Sequence, residues 1–323
     1  MKNFITLVFL FSTILIYAQE PIARQKVIVE VGTGTWCGAC PSVVHIIETF
    51  MEEGLNIAVI EYHNGDAYNN ADATIRENYY NFPWFPTTYY DGNHIGYDDW
   101  NSESVHRAYY EERQDSLASF GVNIIGEVDG VTVHGTMFAE EIVDYAGQNL
   151  VMHLVLTETN IPENWQGETE LDFVERTMFP DGHGTAISFE DNSFQSIDFS
   201  FNIDPFWVKE NCELVYFIQN NDTKEILQAN SIQLNDLSLN VGVSSVAESS
   251  SYIYPNPVQD VIRFKTNDIT SITNIEIVDL MGKTVYQQET CATDVNINEL
   301  PKGIYLVSYW DNGIKKTEKV IKK

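Results

Sequence analysis

GTGTWCGACP (residues 32–41) holds two of the chain's four cysteines, Cys37 and Cys40, spaced two apart behind Trp36. Such a pair serves as a metal clip, a structural staple or a redox couple. A structural zinc site needs four ligands, and the sequence offers neither a second CxxC nor a close His pair, only the scattered His45, His63 and His94. No metal is therefore expected. A staple closing so short a loop restricts the unfolded chain very little. The redox alternative has a mechanism, because a cysteine between a strand end and a helix start meets unpaired N–H groups and a positive dipole end, which favour the thiolate. In that reading Cys37 is the nucleophile and Cys40 the resolving thiol.

The flanks supply the strand and the helix. KVIVEV (26–31) alternates like a strand, and Pro41 opens SVVHIIETFMEEG, whose Val43, Ile47, Phe50 and Met51 share one face before Gly54 stops it. LNIAVIEYH (55–63) reads as a buried strand, 72–80 as a short helix, and 87–90 as a strand with an Asp91-Gly92 hairpin signal. A helix over 102–118, with Ser102 as N-cap, completes a mixed sheet flanked by helices. The motif at Asp91, Asn93 and Gly96 lacks calcium ligands at Ile95 and Ser102 and is read as a hairpin.

Over 120–237 the period changes to two. Six strand-like runs divided by turn residues predict an antiparallel β-sandwich, with 160–187 as a long insertion and candidate contact surface. Cys212, alternating with Leu214 and Tyr216, reads as a buried structural thiol, and a bridge to Cys291 is not expected. His183, in GHG, is read as loop. A serine-rich linker over 238–251 separates a third block, 252–323, of short alternating strands.

The chain ends set the context. Residues 1–18 carry a lysine and an apolar run too short to span a bilayer, which predicts a signal peptide cleaved after Ala18. No later stretch is long and apolar enough to cross a membrane. The net charge of -29 over 323 residues argues against nucleic acid as a partner, since few cations are available to replace counterions. Residues 301–323 run the other way, with six lysines against two acidic residues.

Strand, WCGAC, helix and a later proline-led strand together resemble the thioredoxin superfamily over 25–118. The resemblance implies a cis-proline at Pro86, a Phe85 backbone that pairs with an extended substrate, and Trp36 as a flank of the site. Two positions depart from it: Val31 stands where the family carries a buried acid, with Glu30 one position off and facing the other way, and Pro41 follows Cys40 directly. Val29, Glu30, Thr33, Gly34, Cys37, Cys40 and Pro41 also resemble the exported Omp twenty-eight-related family, which continues into a β-rich domain.

The third block resembles the C-terminal sorting domain of type IX secretion at Tyr254, Pro255, Asn256, Pro257, Gly282, Lys283, Leu300, Pro301, Gly303, Ile304 and Tyr305. That resemblance implies recognition by the type IX translocon and delivery through the periplasm to the cell surface or outer membrane. The fold expected from these readings is α+β and multidomain: a thioredoxin-like α/β domain, an antiparallel β-sandwich and a small all-β sorting domain. The function expected is an exported thiol–disulfide oxidoreductase acting on protein thiols or disulfides, with the Cys37–Cys40 pair itself as the redox centre and no other cofactor. The alternative is a non-catalytic surface binding or adhesion protein that uses the same units as a scaffold.

Overall fold

Strand β1 (Ile22–Ala23) leads to β2 (Val27–Thr33), α1 (Pro41–Glu52), β3 (Ile57–His63), α2 (Ala71–Tyr80), β4 (Thr87–Tyr90), β5 (Asn93–His94) and α3 (Glu103–Asp115). The structure is a computed structural model and describes residues 20–190, 193–237, 252–266, 272–279, 283–290, 294–311 and 314–323. The expected signal peptide and linker, Gly282 and Cys291 lie outside these residues. Proline at its first position fixes the start of α1, and Gly54, at φ 76°, turns the chain just beyond its end. Helix α2 is capped by Asn70, whose side chain accepts from the Ala73 amide. The apolar face of α1 is Val43, Ile46, Ile47 and Phe50, whereas Met51, assigned to that face by the sequence reading, is exposed.

The second stretch is β6 (Leu117–Ala118), β7 (Phe120–Asp129), β8 (Thr132–Glu141), β9 (Leu150–Glu158), β10 (Ile161–Trp165), β11 (Glu168–Leu171), β12 (Val174–Phe179), β13 (Thr185–Ile187), β14 (Phe194–Asn202), β15 (Cys212–Asn220), β16 (Ile226–Gln233) and the short α4 (Leu234–Leu237). These strands do not make a sandwich apart from the first unit. One nine-stranded sheet runs β16-β15-β9-β12-β3-β2-β4-β5, with β13 paired to β9. The expected fold class is corrected accordingly: the protein is mostly β, built from several sheets with an all-β tail, and is not a thioredoxin-like α/β fold. The cause is β12, which lies in the stretch read as an insertion. It pairs antiparallel with β9 along most of its length and parallel with β3 at Val174↔Glu61. Strand β3 is buried throughout, so without β12 it would leave an unpaired edge inside the protein.

Helix α1 packs on one face of the shared sheet through Val43, Ile47 and Phe50 against Val27, Val29, Val31 and Val59. Helix α2 packs on the opposite face, where Ala73 joins Ile28, Ile60, Val155, Val215 and Phe217. The three-stranded sheet β14-β8-β7 covers the far half of the shared sheet, burying Val122, Ile124, Met137 and Phe199 against Leu154, Leu156, Leu214 and Tyr216. The tail is all β, with one sheet of β17 (Tyr252–Tyr254), β18 (Val261–Lys265) and β21 (Asp294–Asn296). Its second sheet comprises β19 (Ile272–Asp279), β20 (Thr284–Gln288), β22 (Gly303–Asp311) and β23 (Ile314–Lys322).

Two buried charge clusters tie the shared sheet together. Glu30 on β2 accepts from Arg76 of α2 at 2.6 Å, from Tyr62 of β3 at 3.0 Å, and from Tyr80, while Arg76 also donates to Gln219 of β15 at 3.0 Å. Asp91, at the hairpin turn, receives Arg24 at 3.0 Å and Arg113 at 3.2 Å, and Arg113 continues to Glu225 at 2.9 Å. Each cluster joins residues before 120 to residues after 210. Arg76→Ala strands the Glu30 carboxylate in the interior and is expected to cost about 3–5 kcal/mol, against about 1 kcal/mol or less for a surface pair. Urea denaturation of the full chain measures it, and a loss at the surface-pair level would contradict the cluster's role as a joint.

Candidate functional site

The cysteine turn lies between β2 and α1, in residues 34–40. Cys37 N–H bonds to the Gly34 carbonyl at 2.9 Å and Cys40 N–H to the Cys37 carbonyl at 3.3 Å, so the turn is wound but precedes the helix. Helix α1 begins at Pro41, with Cys40 as its N-cap residue. Pro41 thus sets the first helical position and leaves Cys37 a full turn ahead of it. The two cysteines are joined as a disulfide with a Cα–Cα distance of 5.5 Å. The Asp66 carboxylate braces the turn by accepting from the Thr35 amide at 2.8 Å and pairing with His63 Nδ1 at 2.7 Å. Burial works against ionisation of Asp66, but the His63 contact and the Thr35 and Tyr68 amides outweigh it and hold its pKa at about 2.

A hairpin covers the sulfurs. Strands β10 and β11 pair through Ile161↔Leu171 and Trp165↔Glu168, and Ile161, Trp165 and Leu171 pack in one apolar cluster with Cys37, Cys40, Val44 and Val174. Exposure falls to 4% for Cys37 and 1% for Cys40. Polar contacts pin the cover: Gln166 donates to the Thr35 carbonyl at 3.0 Å, Tyr68 to Glu163 at 2.8 Å, and His45 on α1 pairs with Glu168 at 3.2 Å. Trp165 Nε1 donates to the Glu170 carbonyl at 2.8 Å, which fixes the ring over the disulfide cluster. The region read as a candidate contact surface therefore contacts the protein's own cysteine pair.

Other residues singled out from sequence lie beside the same cluster. Phe85 packs against the disulfide cluster, the Phe85–Pro86 peptide is cis, and Trp36, 51% exposed, meets the Phe85 ring edge-on at 5.5 Å. The Trp36 indole donates to the Asn64 carbonyl at 2.6 Å. From Phe85, ring contacts continue through Phe82, Tyr89, His94 and Trp84 to the exposed Tyr97. Among the described residues no cluster of His, Cys, Asp and Glu could hold a metal ion. Cys212 is a free buried thiol that donates to the Val208 carbonyl at 3.4 Å, its pKa pushed up to about 12 by burial and the nearby Glu158 charge.

Sequence reasoning missed one carboxyl. Glu61 on β3 is the register partner of Val31, and like Val31 and Val59 it faces α1. It is also paired with Val174, which packs beside Cys40. Glu61 is buried, its Oε1 has no hydrogen-bond partner, and burial with the Asp172 and Glu48 charges pushes its pKa up to about 8. The signal was present: Glu61 is the one charge in an otherwise apolar run. A buried carboxyl thus lies one strand over from Val31.

In the tail, the Tyr254–Pro255 and Asn256–Pro257 peptides are cis, and Asn256 grips β23 by donating to the Lys319 carbonyl at 2.6 Å and accepting from the Ile321 amide at 3.0 Å. Tyr305 packs in the tail core and donates to the Pro301 carbonyl at 2.8 Å, Gly303 opens β22, and Lys283 is exposed, its amide donating to Asp279.

Residues 252–323 match the family described as the secretion system C-terminal sorting domain. No curated protein matches the chain. Among solved structures, the chain is similar to HBP35 of Porphyromonas gingivalis at 17% identity and a TM-score of 0.59, over 94% of this chain and 99% of that one. A protein of Agrobacterium tumefaciens shares 16% identity at a TM-score of 0.43, covering 68% and 97%. A domain of the outer membrane lipoprotein Omp28 from Porphyromonas gingivalis shares 14% identity at a TM-score of 0.29, covering 37% and 90%. At these identities the likeness to HBP35 concerns the fold alone. No helix among the described residues is long and apolar enough to cross a membrane. The chain carries a type IX sorting domain at its C-terminal end, which implies engagement of that secretion system and delivery to the cell surface or outer membrane.

Proposed function

We propose that this protein is a non-catalytic binding protein of the cell surface, in which the Cys37–Cys40 disulfide is a fixed part of the scaffold. What supports the reading is the hairpin: Ile161, Trp165 and Leu171 pack with both cysteines in one apolar cluster, leaving Cys37 only 4% and Cys40 only 1% exposed to an incoming thiolate. The binding face is the aromatic surface beside it. Trp36 and Tyr97 end a run of contacting rings, and large rings exposed on a rigid frame give contact area at low entropic cost. Incubating the full mature protein with glutathione buffers and with insulin tests this reading, with Cys37→Ser as control. The expected result is neither exchange nor insulin reduction above the control, and turnover dependent on Cys37 would sink the proposal.

A second reading, thiol–disulfide exchange with a protein substrate, draws on Glu61. A carboxyl that is neutral near pH 7 under the start of α1 could pass a proton to or from Cys40 once the pair is reduced. In that reading an external dithiol first reduces the pair and leaves as its own disulfide; the Cys37 thiolate then attacks the substrate disulfide, releasing one substrate thiolate, and Cys40 displaces the second as the Cys37–Cys40 bond re-forms. The same carboxyl has a consequence for stability under either reading. Glu61 stays protonated in the folded chain up to about pH 8 but ionises in the unfolded chain above its ordinary value of 4.5, so stability is lost as pH rises between the two. Glu61→Gln should flatten urea stability across pH 5–8 by up to about 1.4 kcal/mol per unit. An unchanged pH slope would show that Glu61 is ionised in the folded protein.

A further inference from the structure

The outer face of the three-stranded sheet breaks its own pattern. Along β8, Val133, Met137 and Ala139 point to the core, so Thr132, His134, Thr136, Phe138 and Glu140 point outward. Most of that face is polar: His134 pairs with Glu127 at 2.8 Å and Thr136 donates to Asp198 at 2.7 Å. At one end, however, Phe138 joins Ile125 of β7 and Phe194 of β14 in an apolar patch, and Phe138 is 0% exposed. An apolar cluster on a polar outer face requires a cover or a partner.

The tail carries the complementary exception. Tyr305, Val307, Tyr309 and Val320 fill its core, while Ile304 on β22 and its cross-strand partner Ile321 on β23 face away from it. Those two isoleucines pack on Ile125, Phe138 and Phe194. Lys319, two residues before Ile321 on the same face, lies with Nζ 5.3 Å from the centre of the Phe138 ring. Gly303 lets β22 approach closely: a Cβ there would stand 3.3 Å from Glu140 Oε1.

We propose that the Phe138 face is a docking surface for the sorting tail of the same chain, which covers the apolar patch during export and uncovers it when the tail is undocked or removed. The occupant is residues 252–323, recognised by a β-branched aliphatic pair with a flanking cation. Two apolar exceptions to strand alternation, far apart in sequence, cancel only by meeting. The proposal stands independently of whether the disulfide exchanges.

The test uses the full mature chain. Ile304 and Ile321 lie outside the tail core, so Ile304→Asp with Ile321→Asp should leave the tail folded while displacing it. Phe138→Asp is the reciprocal variant on the other side. Either is expected to speed amide exchange across 120–141 and 194–202 and to raise anilinonaphthalene sulfonate fluorescence several-fold for the tail variant, with far-ultraviolet circular dichroism unchanged. In a Cys212→Ala, Cys291→Ala background, a Glu140→Cys and Gly303→Cys pair should bridge within one chain under mild oxidation. Exchange and dye binding unchanged in both variants would overturn the proposal, as would a bridge that forms only between two chains.

Discussion

The burial of Glu30 against Arg76 is the constraint on which the rest of the architecture depends. A carboxylate and a guanidinium removed from water need partners for their lone pairs and N–H groups, and here β2, β3, α2 and β15 supply them for all but the Arg76 Nε. The strand–helix unit at the start of the chain therefore cannot separate from the later strands without exposing an unpaired charge. The Asp91 cluster repeats the logic at the turn between β4 and β5, where Arg24 and Arg113 share one buried carboxylate and Arg113 reaches Glu225. Two charge joints and β12 turn what resembles an appended module into half of one sheet.

That sharing bears directly on the cysteine pair. A turn that would otherwise open to solvent is roofed by a hairpin from the second half of the chain, and the roof is held by hydrogen bonds to Thr35 and Tyr68 and by the His45–Glu168 contact around its rim. The sheet fixes where the hairpin starts, because β12, which follows it, is locked between β9 and β3. Burial of the disulfide is thus a consequence of how the sheet is assembled. Trp36 and Tyr97, the two exposed ends of the ring run beside it, are not among the residues packed under that roof.

Much of the local structure was legible in the sequence, and the reasons for the failures are specific. Helix α1 follows from Pro41 and its apolar spacing, and β4 from its β-rich run before the Asp91 turn, because these depend on neighbours in sequence. Met51 was misplaced by a helical-wheel reading, since the sheet meets α1 along Val43, Ile47 and Phe50 and leaves Met51 to solvent. Strand β12 was missed because Gly and Pro on both sides made 160–187 look like loop, while its reason to be a strand is the unpaired edge of β3, more than a hundred residues earlier. The cover over the cysteines lay outside their local window, because the hairpin that packs on them lies more than a hundred residues later. Glu61 could have been found as the charged exception in its run, and so could the outward Phe138.

The rate at which dithiothreitol reduces the Cys37–Cys40 disulfide measures how far the hairpin seals it. The native chain should be reduced far more slowly than the same chain in urea, and Trp165→Ala should close most of that gap without unfolding the protein. Equal rates in the native and unfolded chain would contradict this expectation, for the hairpin would then be no barrier and the pair would be open to exchange.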